Sequence, residues 1–146
     1  MDPENLTGDF WSAKKIENSY IINIKEKSSI KDALTDFMIH QKIKAGQIVG
    51  VGMIKDVLLR FTSPATKKHF NVKFNAKKLT ANISGIVCNL NENPVLNLNV
   101  TFEKDYQSLA GHLLDARVSS KGEFIFHPLN TQIVHFNRNN EDQFLS

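Results

Sequence analysis

Residues 95–102 read Val-Leu-Asn-Leu-Asn-Val-Thr-Phe, and this stretch decides the fold that the sequence predicts. Its residues alternate with a period of two, so Leu98 and Val100 share one face while Asn97 and Asn99 share the other. A strand with one apolar and one polar face is typical of an antiparallel sheet that covers a core. The stretch therefore predicts a central β-strand whose polar face carries two carboxamides.

The segment after this strand brings a histidine into the same region. Residues 109–117 read Leu-Ala-Gly-His-Leu-Leu-Asp-Ala-Arg, and Gly111 precedes His112. A glycine within a strand lets a neighbouring backbone approach closely. The central strand carries two polar residues at i and i+2, and the chain returns through a segment with a histidine. Asn97, Asn99 and His112 are therefore the candidate residues of a small ligand-binding site on the sheet. In the competing interpretation, the same three side chains satisfy backbone groups or face a subunit interface.

One amphipathic helix precedes the central strand. Ser29 is a suitable N-cap, and apolar residues then recur with the helical spacing i, i+3, i+4, i+7 and i+8. This stripe consists of Ile30, Ala33, Leu34, Phe37 and Met38. Ala45-Gly46 is expected to end the helix, whose apolar side is expected to lie across the sheet.

The other periodic segments predict strands. They are residues 20–25, 47–54, 56–62, 67–75, 79–90, 122–126 and 132–136. Many strands with short connections and one helix predict an α+β domain, with a mainly antiparallel sheet of about seven strands and the helix packed on it. The domain is expected at residues 20–136, between an N-terminal extension (1–19) and a polar tail (137–146). Part of the extension, around Phe10, Trp11 and Ile16, is expected to pack on the domain or on a neighbouring subunit.

The composition favours a cytoplasmic globular protein. The 146 residues suffice for one domain with a real core. A single cysteine, Cys88, excludes an intramolecular disulfide and fits a reducing compartment. No apolar run approaches the roughly 20 residues that span a bilayer, so no membrane partner is expected.

Positive charge is concentrated in the middle of the sequence. Six basic residues and no acidic residue lie between Asp56 and Glu92. Nucleic-acid phosphates are one partner for such a segment, and the candidate contacts are Lys67, Lys68, Lys73, Lys77 and Lys78. Phe70 and Phe74 lie among these lysines, but their alternation predicts that both face the core. A solvated basic strand is the simpler interpretation of the segment.

Four stretches together resemble the plants-and-prokaryotes-conserved (PPC) domain. They are residues 20–25 with the helix after them, Ile-Lys-Ala-Gly-Gln-Ile-Val-Gly-Val-Gly (43–52), Ile-Ser-Gly (83–85), and Asn-Pro-Val-Leu-Asn-Leu-Asn-Val (93–100) followed by Ala-Gly-His-Leu-Leu (110–114). The resemblance implies a compact α+β domain that forms a homotrimer and has a DNA-binding or regulatory role. It also implies a fold similar to that of acetolactate decarboxylase, a zinc enzyme with histidine ligands.

The sequence departs from this resemblance where a metal would bind. Many prokaryotic relatives carry His-x-His on the central strand and Gly-Gly-His after it, whereas this chain has Asn97, Asn99 and Ala110-Gly111 there, and only His112 remains. Carboxamides are poor zinc ligands, so zinc held by His112 is disfavoured and no cofactor is predicted. The main hypothesis is a non-enzymatic protein, with DNA as its candidate partner. The alternative is a protein that binds a small molecule, or a metal-dependent enzyme with a degenerate metal site.

Overall fold

The computed structural model describes residues 4–75, 78–90 and 93–130. These residues form a single sheet of eight strands and one helix, and all the strand pairings are antiparallel. The elements are β1 (Glu4–Thr7), β2 (Trp11–Ile16), β3 (Ser19–Ile24), α1 (Ile30–His40), β4 (Ala45–Thr62), β5 (His69–Phe74), β6 (Leu79–Leu90), β7 (Asn93–Lys104) and β8 (Gln107–Pro128). The predicted α+β class, with a mainly antiparallel sheet and one helix, is confirmed.

The sheet closes on itself through its two longest strands. Its order is β1-β2-β3-β8-β7-β6-β4-β5, and β8 also pairs with β4. One edge of β8 pairs with β7 and then β3, while its other edge pairs with β4. The strands β4, β6, β7 and β8 therefore form a closed ring, and the inward side chains of this ring make the core together with residues of β2, β3 and α1.

Bulges allow β4 to continue as one long strand through the ring. The sequence predicted two strands at residues 47–54 and 56–62, but the structure has one strand of 18 residues. Its register against β8 shifts between Gly52 and Ile54 and again after Lys55, where Asp56 has a positive φ of 51°. Such bulges bend a strand without ending it, which explains why the sequence pattern is interrupted there.

The helix begins as predicted and ends earlier than predicted. The Ser29 Oγ accepts a hydrogen bond from the Asp32 N–H at 3.1 Å, and the predicted apolar stripe is buried in the core. Ala45-Gly46 does not end the helix, because α1 stops at His40 and Ala45 already begins β4. The left-handed backbone of Lys42, with φ 55°, turns the chain between them.

The N-terminal segment forms two strands that the sequence analysis did not identify. β1 pairs with β2 and β2 pairs with β3, so both extend the main sheet. Trp11 is fully buried, as the predicted packing of this segment requires, and its Nε1 donates a hydrogen bond to Asp36 at 2.8 Å. Phe10 and Ile16 are 40% and 45% exposed. The predicted strand at 132–136 and the polar tail lie outside the described residues.

Within the three described ranges, no helix has the length and hydropathy needed to cross a membrane.

Candidate functional site

Asn97 and Asn99 lie on the outer face of β7, as their alternation with leucine and valine predicted. Leu98 and Val100 point into the core and are 2% and 0% exposed. Asn99 is exposed and Asn97 is half-buried on the opposite side of the strand. The central strand therefore presents both carboxamides outward.

His112 lies beside Asn99 on the neighbouring strand. In the register of β7 and β8, Asn99 is directly opposite His112, and in that of β4 and β8, His112 is directly opposite Arg60. Directly opposed residues of an antiparallel sheet point to the same face, with Cβ atoms about 5 Å apart. The structure thus brings the three predicted site residues together on one face and adds Arg60 to them.

These residues are part of a longer polar row across five strands. Asn71 on β5 is opposite Arg60, and Ser84 on β6 is opposite Asn99. We use the term polar row for Asn71, Arg60, His112, Asn99 and Ser84. His112 is half-buried and the other four residues are exposed.

Arg60 is the site residue that the sequence analysis missed. Its alternation with buried Leu59 places it on the outer face of a strand, which the sequence could indicate. Its position beside His112 depends on the register between β4 and β8, and the bulges of β4 set that register. No local sequence pattern specifies such a long-range pairing.

Asp115 is an acidic residue that follows His112 of the polar row on β8, but its carboxylate is already hydrogen-bonded. Its carboxylate accepts hydrogen bonds from the Ser29 hydroxyl at 2.8 and 2.9 Å and from the Lys31 N–H at 3.1 Å. A further bond comes from the Ala116 N–H at 2.8 Å. Asp115 therefore supports the start of α1. Among the described residues, no carboxylate forms an ion pair with Arg60.

The predicted lysine cluster lies partly on the same outer face as the polar row. Lys73 is two residues from Asn71 on β5 and so shares its face, diagonally across from Arg60. Lys67 and Lys68 are exposed in the turn between β4 and β5. Lys78 is exposed in a separate groove that also contains Glu103, and Lys77 lies outside the described residues.

The two phenylalanines among these lysines differ in burial. Phe74 packs edge-on against Phe102 with ring centroids 5.7 Å apart, in agreement with the prediction that it faces the core. The same prediction is wrong for Phe70, which is 50% exposed and stacks on Phe61 at 5.8 Å. β6 pairs with β4 as far as Ile54, whereas Phe70 on β5 is opposite Phe61 of β4. Phe70 therefore lies beyond the part of β4 that pairs with β6.

The residues around His112 do not fit a zinc site. Zinc in proteins takes thiolate, imidazole and carboxylate ligands, and the residues flanking His112 are a carboxamide and a guanidinium. A permanent positive charge on Arg60 also opposes a cation at this position. In the part of the chain that the structure describes, no group of three or more His, Cys, Asp or Glu residues could hold a metal ion.

An apolar strip occupies another part of the outer face. Val49, Val51 and Ile125, which we call the apolar strip, are 49%, 54% and 44% exposed. Val49 is directly opposite Ile125 on β8, so the strip is continuous across two strands. It lines a groove of about 450 Å³ whose rim includes Lys121 and Glu123.

Comparison with known proteins identifies relatives of similar size. The family model of the Plants and Prokaryotes Conserved (PCC) domain matches residues 12–130. A crystal structure of a candidate DNA-binding protein from Bacteroides thetaiotaomicron is 35% identical, with 84% of this chain and 86% of that chain covered and a TM-score of 0.76. A search of curated proteins gave no match.

Two more distant structures are similar in fold alone. A metal-containing protein from Archaeoglobus fulgidus is 19% identical, with 80% of this chain and 82% of that chain covered and a TM-score of 0.70. Alpha-acetolactate decarboxylase from Bacillus subtilis is 14% identical, with 88% of this chain and 69% of that chain covered and a TM-score of 0.52. The expected similarity to the fold of this enzyme is therefore observed.

Proposed function

Because the chain belongs to the Plants and Prokaryotes Conserved domain family, we propose that it is a non-enzymatic homotrimer that binds DNA with little dependence on sequence. The observation that carries this proposal is the shared outer face of Lys73, Arg60 and the rest of the polar row. The relative from Bacteroides thetaiotaomicron, a candidate DNA-binding protein, supports the same activity.

The proposed contacts are electrostatic. Lys67 and Lys68 project from the β4–β5 turn, and Lys73 lies on the strand that follows it. Lysines that neutralise phosphates release counterions from DNA, which gives affinity without reading the bases. The predicted result is weak binding that is strongly dependent on salt.

The half-exposed ring of Phe70 adds a second type of contact. It follows Lys67, Lys68 and His69 in the sequence and stacks on Phe61. An exposed aromatic ring near basic residues can stack on an unpaired base. The proposal therefore includes single-stranded nucleic acid as a substrate beside the duplex.

Self-association is supported by the apolar strip. Exposed apolar residues that form a continuous patch are typical of interfaces. The rim of the strip carries one lysine and one glutamate, Lys121 and Glu123, both exposed. A patch with both charges at its rim can contact a second copy of the same chain, because the lysine of one copy can pair with the glutamate of the other. We assign the strip to the trimer interface.

Fluorescence anisotropy with a labelled DNA duplex tests the proposed activity. If about three phosphates are neutralised, affinity falls roughly 40-fold between 50 and 200 mM salt. The variant Lys67→Ala/Lys68→Ala/Lys73→Ala should bind at least about tenfold more weakly at 50 mM salt. A triple alanine variant at the exposed lysines Lys14, Lys31 and Lys44 removes the same charge and should bind like the wild type. Absence of wild-type binding at 50 mM salt would refute the proposal.

A second candidate function is the binding of a small molecule by Asn97, Asn99 and His112. The specific observation in its favour is the direct opposition of Asn99 and His112 on adjacent strands. Thermal stabilisation of the wild type by a small molecule, lost in Asn99→Leu, would support it. Near-stoichiometric zinc in protein purified without chelator would instead favour the metal-dependent alternative, which the residues beside His112 disfavour.

A further inference from the structure

We infer that the polar row contains a binding site for one phosphate group, with Arg60 as its main contact. This inference rests on the proposed anion-binding role of the outer face and assigns a defined site within it. It concerns Arg60 together with His112 and Asn99, and not the lysines of the β4–β5 hairpin.

The register places several hydrogen-bond donors around Arg60. Its two cross-strand neighbours are His112 and Asn71, and Asn99 follows His112 in the row. Since each step across the sheet is about 5 Å, Asn99 and Arg60 are separated by about 10 Å at their Cβ atoms. The long arginine side chain can lean across this distance, so its guanidinium and the Asn99 amide can contact the same small group.

The local charge favours an anion. Arg60 carries a positive charge, and Lys73 adds a second one diagonally across the β4–β5 pair. The carboxylate of Asp115 is occupied by the Ser29 hydroxyl and by backbone N–H groups at the start of α1. An arriving anion therefore meets donors and positive charge in this row.

The arrangement of the donors favours phosphate over carboxylate. A carboxylate has two coplanar oxygens, which a single guanidinium can satisfy with two parallel hydrogen bonds. A phosphate presents further oxygens in other directions, and donors on neighbouring strands can reach these oxygens. The row provides such a donor in the carboxamide of Asn99, which lies beyond His112 from Arg60.

The phosphate can belong to a nucleic-acid backbone or to a free phosphorylated molecule. The backbone is favoured because Lys73 connects the polar row to Lys67 and Lys68 along one strand and its turn. Both sources share the same chemistry at Arg60, and they differ in whether a duplex competes for the site.

Titration with inorganic phosphate, followed by NMR of side-chain N–H groups at constant ionic strength, tests the site. The expected result is saturable shifts of the Arg60 Nε–H and Asn99 amide signals, with affinity reduced at least tenfold in Arg60→Gln. The control Lys14→Gln removes one charge from an exposed position on β2 and should leave the titration unchanged. Equal phosphate affinity in Arg60→Gln and wild type would overturn the inference.

A second variant and a duplex arm make the result independent of any effect of Arg60→Gln on folding. Asn99→Asp places a negative charge opposite His112 and should also abolish the phosphate shifts. If a duplex displaces phosphate and Arg60→Gln weakens duplex binding, the phosphate that the site binds belongs to a nucleic-acid backbone. If Arg60→Gln loses phosphate binding and keeps duplex binding, the phosphate belongs to a free phosphorylated molecule. Phosphate binding without duplex binding would refute the proposed DNA function and retain the site. Duplex binding that depends only on the hairpin lysines, together with equal phosphate affinity in Arg60→Gln and wild type, would retain the function and refute the site.

Discussion

Arg60 on β4 lies directly opposite His112 on β8, and this pairing joins two regions that the sequence presents as separate. Arg60 belongs to the basic middle segment, whereas His112 follows the central strand. The row continues through Asn99 to Ser84, and Ser84 is in turn opposite Val49. The polar row and the apolar strip are thus consecutive parts of one belt around the closed sheet.

A charge within the apolar strip should dissociate the proposed trimer. In Val51→Asp, a carboxylate replaces a 54% exposed valine, and burying it against a second copy would be unfavourable. Sedimentation equilibrium should then show monomers at concentrations where the wild type is a trimer. Ile39→Asp, at an equally exposed position on α1, is the matched control and should stay trimeric. A trimeric Val51→Asp protein would exclude the strip as the interface.

Replacement of Gly50 by alanine should destabilise the fold. A Cβ at this position would meet the ring of Phe124 and would lie 2.7 Å from the Glu123 carbonyl oxygen. Since a backbone atom cannot move aside easily, we expect a loss of about 1–3 kcal/mol in the free energy of unfolding, measured with urea. Gly52→Ala is the control, because its nearest neighbour would be 3.3 Å away. Equal stability of the two variants would contradict the close approach of β4 and β8 at Gly50.

Loss of the Ser29 hydroxyl should weaken the start of α1. This hydroxyl accepts a hydrogen bond from the Asp32 N–H and donates to the Asp115 carboxylate. Ser29→Ala removes both bonds at a buried position, and we expect a cost of about 1–2 kcal/mol in thermal or urea unfolding. Ser28→Ala, at the adjacent, less buried serine, should change stability by less than about 0.5 kcal/mol.

The sequence was sufficient to predict the helix cap because capping is local. Ser29 and the apolar stripe after it lie within one short segment, and both are observed. The outward direction of Asn97 and Asn99 was also predictable, since alternation with buried Leu98 and Val100 fixes it.

The remaining features depend on contacts between distant segments. The bulged β4 was predicted as two strands because a bulge interrupts the alternation that identifies a strand. Phe70 was predicted to be buried because its alternation is that of a core residue, but β5 is the edge strand of the sheet that the described residues form. The position of Arg60 beside His112 required the register of β4 against β8. Packing and register of this kind are set by the whole fold and leave no local signal.

The turn between β7 and β8 should tolerate and even favour a different sequence. Asp105 and Tyr106 have positive φ values of 52° and 66°, which asparagine and glycine adopt more easily. Tyr106 is fully exposed, so its replacement removes no packing. We expect Asp105→Asn/Tyr106→Gly to raise the free energy of unfolding by about 1 kcal/mol. A loss of stability would indicate that the Tyr106 side chain makes a contact in the assembled protein.

Histidines at positions 97 and 99 should convert the polar site into a zinc site. These positions share the outer face of β7, and position 99 is opposite His112, so Asn97→His/Asn99→His would place three imidazoles together. We expect about one zinc ion per chain by elemental analysis, with tighter binding when Arg60→Gln removes the nearby positive charge. The single variant Asn99→His supplies two imidazoles and should bind zinc at least about tenfold more weakly. If the double variant binds no zinc, the outer face does not bring these three side chains within reach of one ion. If the wild type binds zinc equally well, carboxamides at 97 and 99 are not what disfavours a metal.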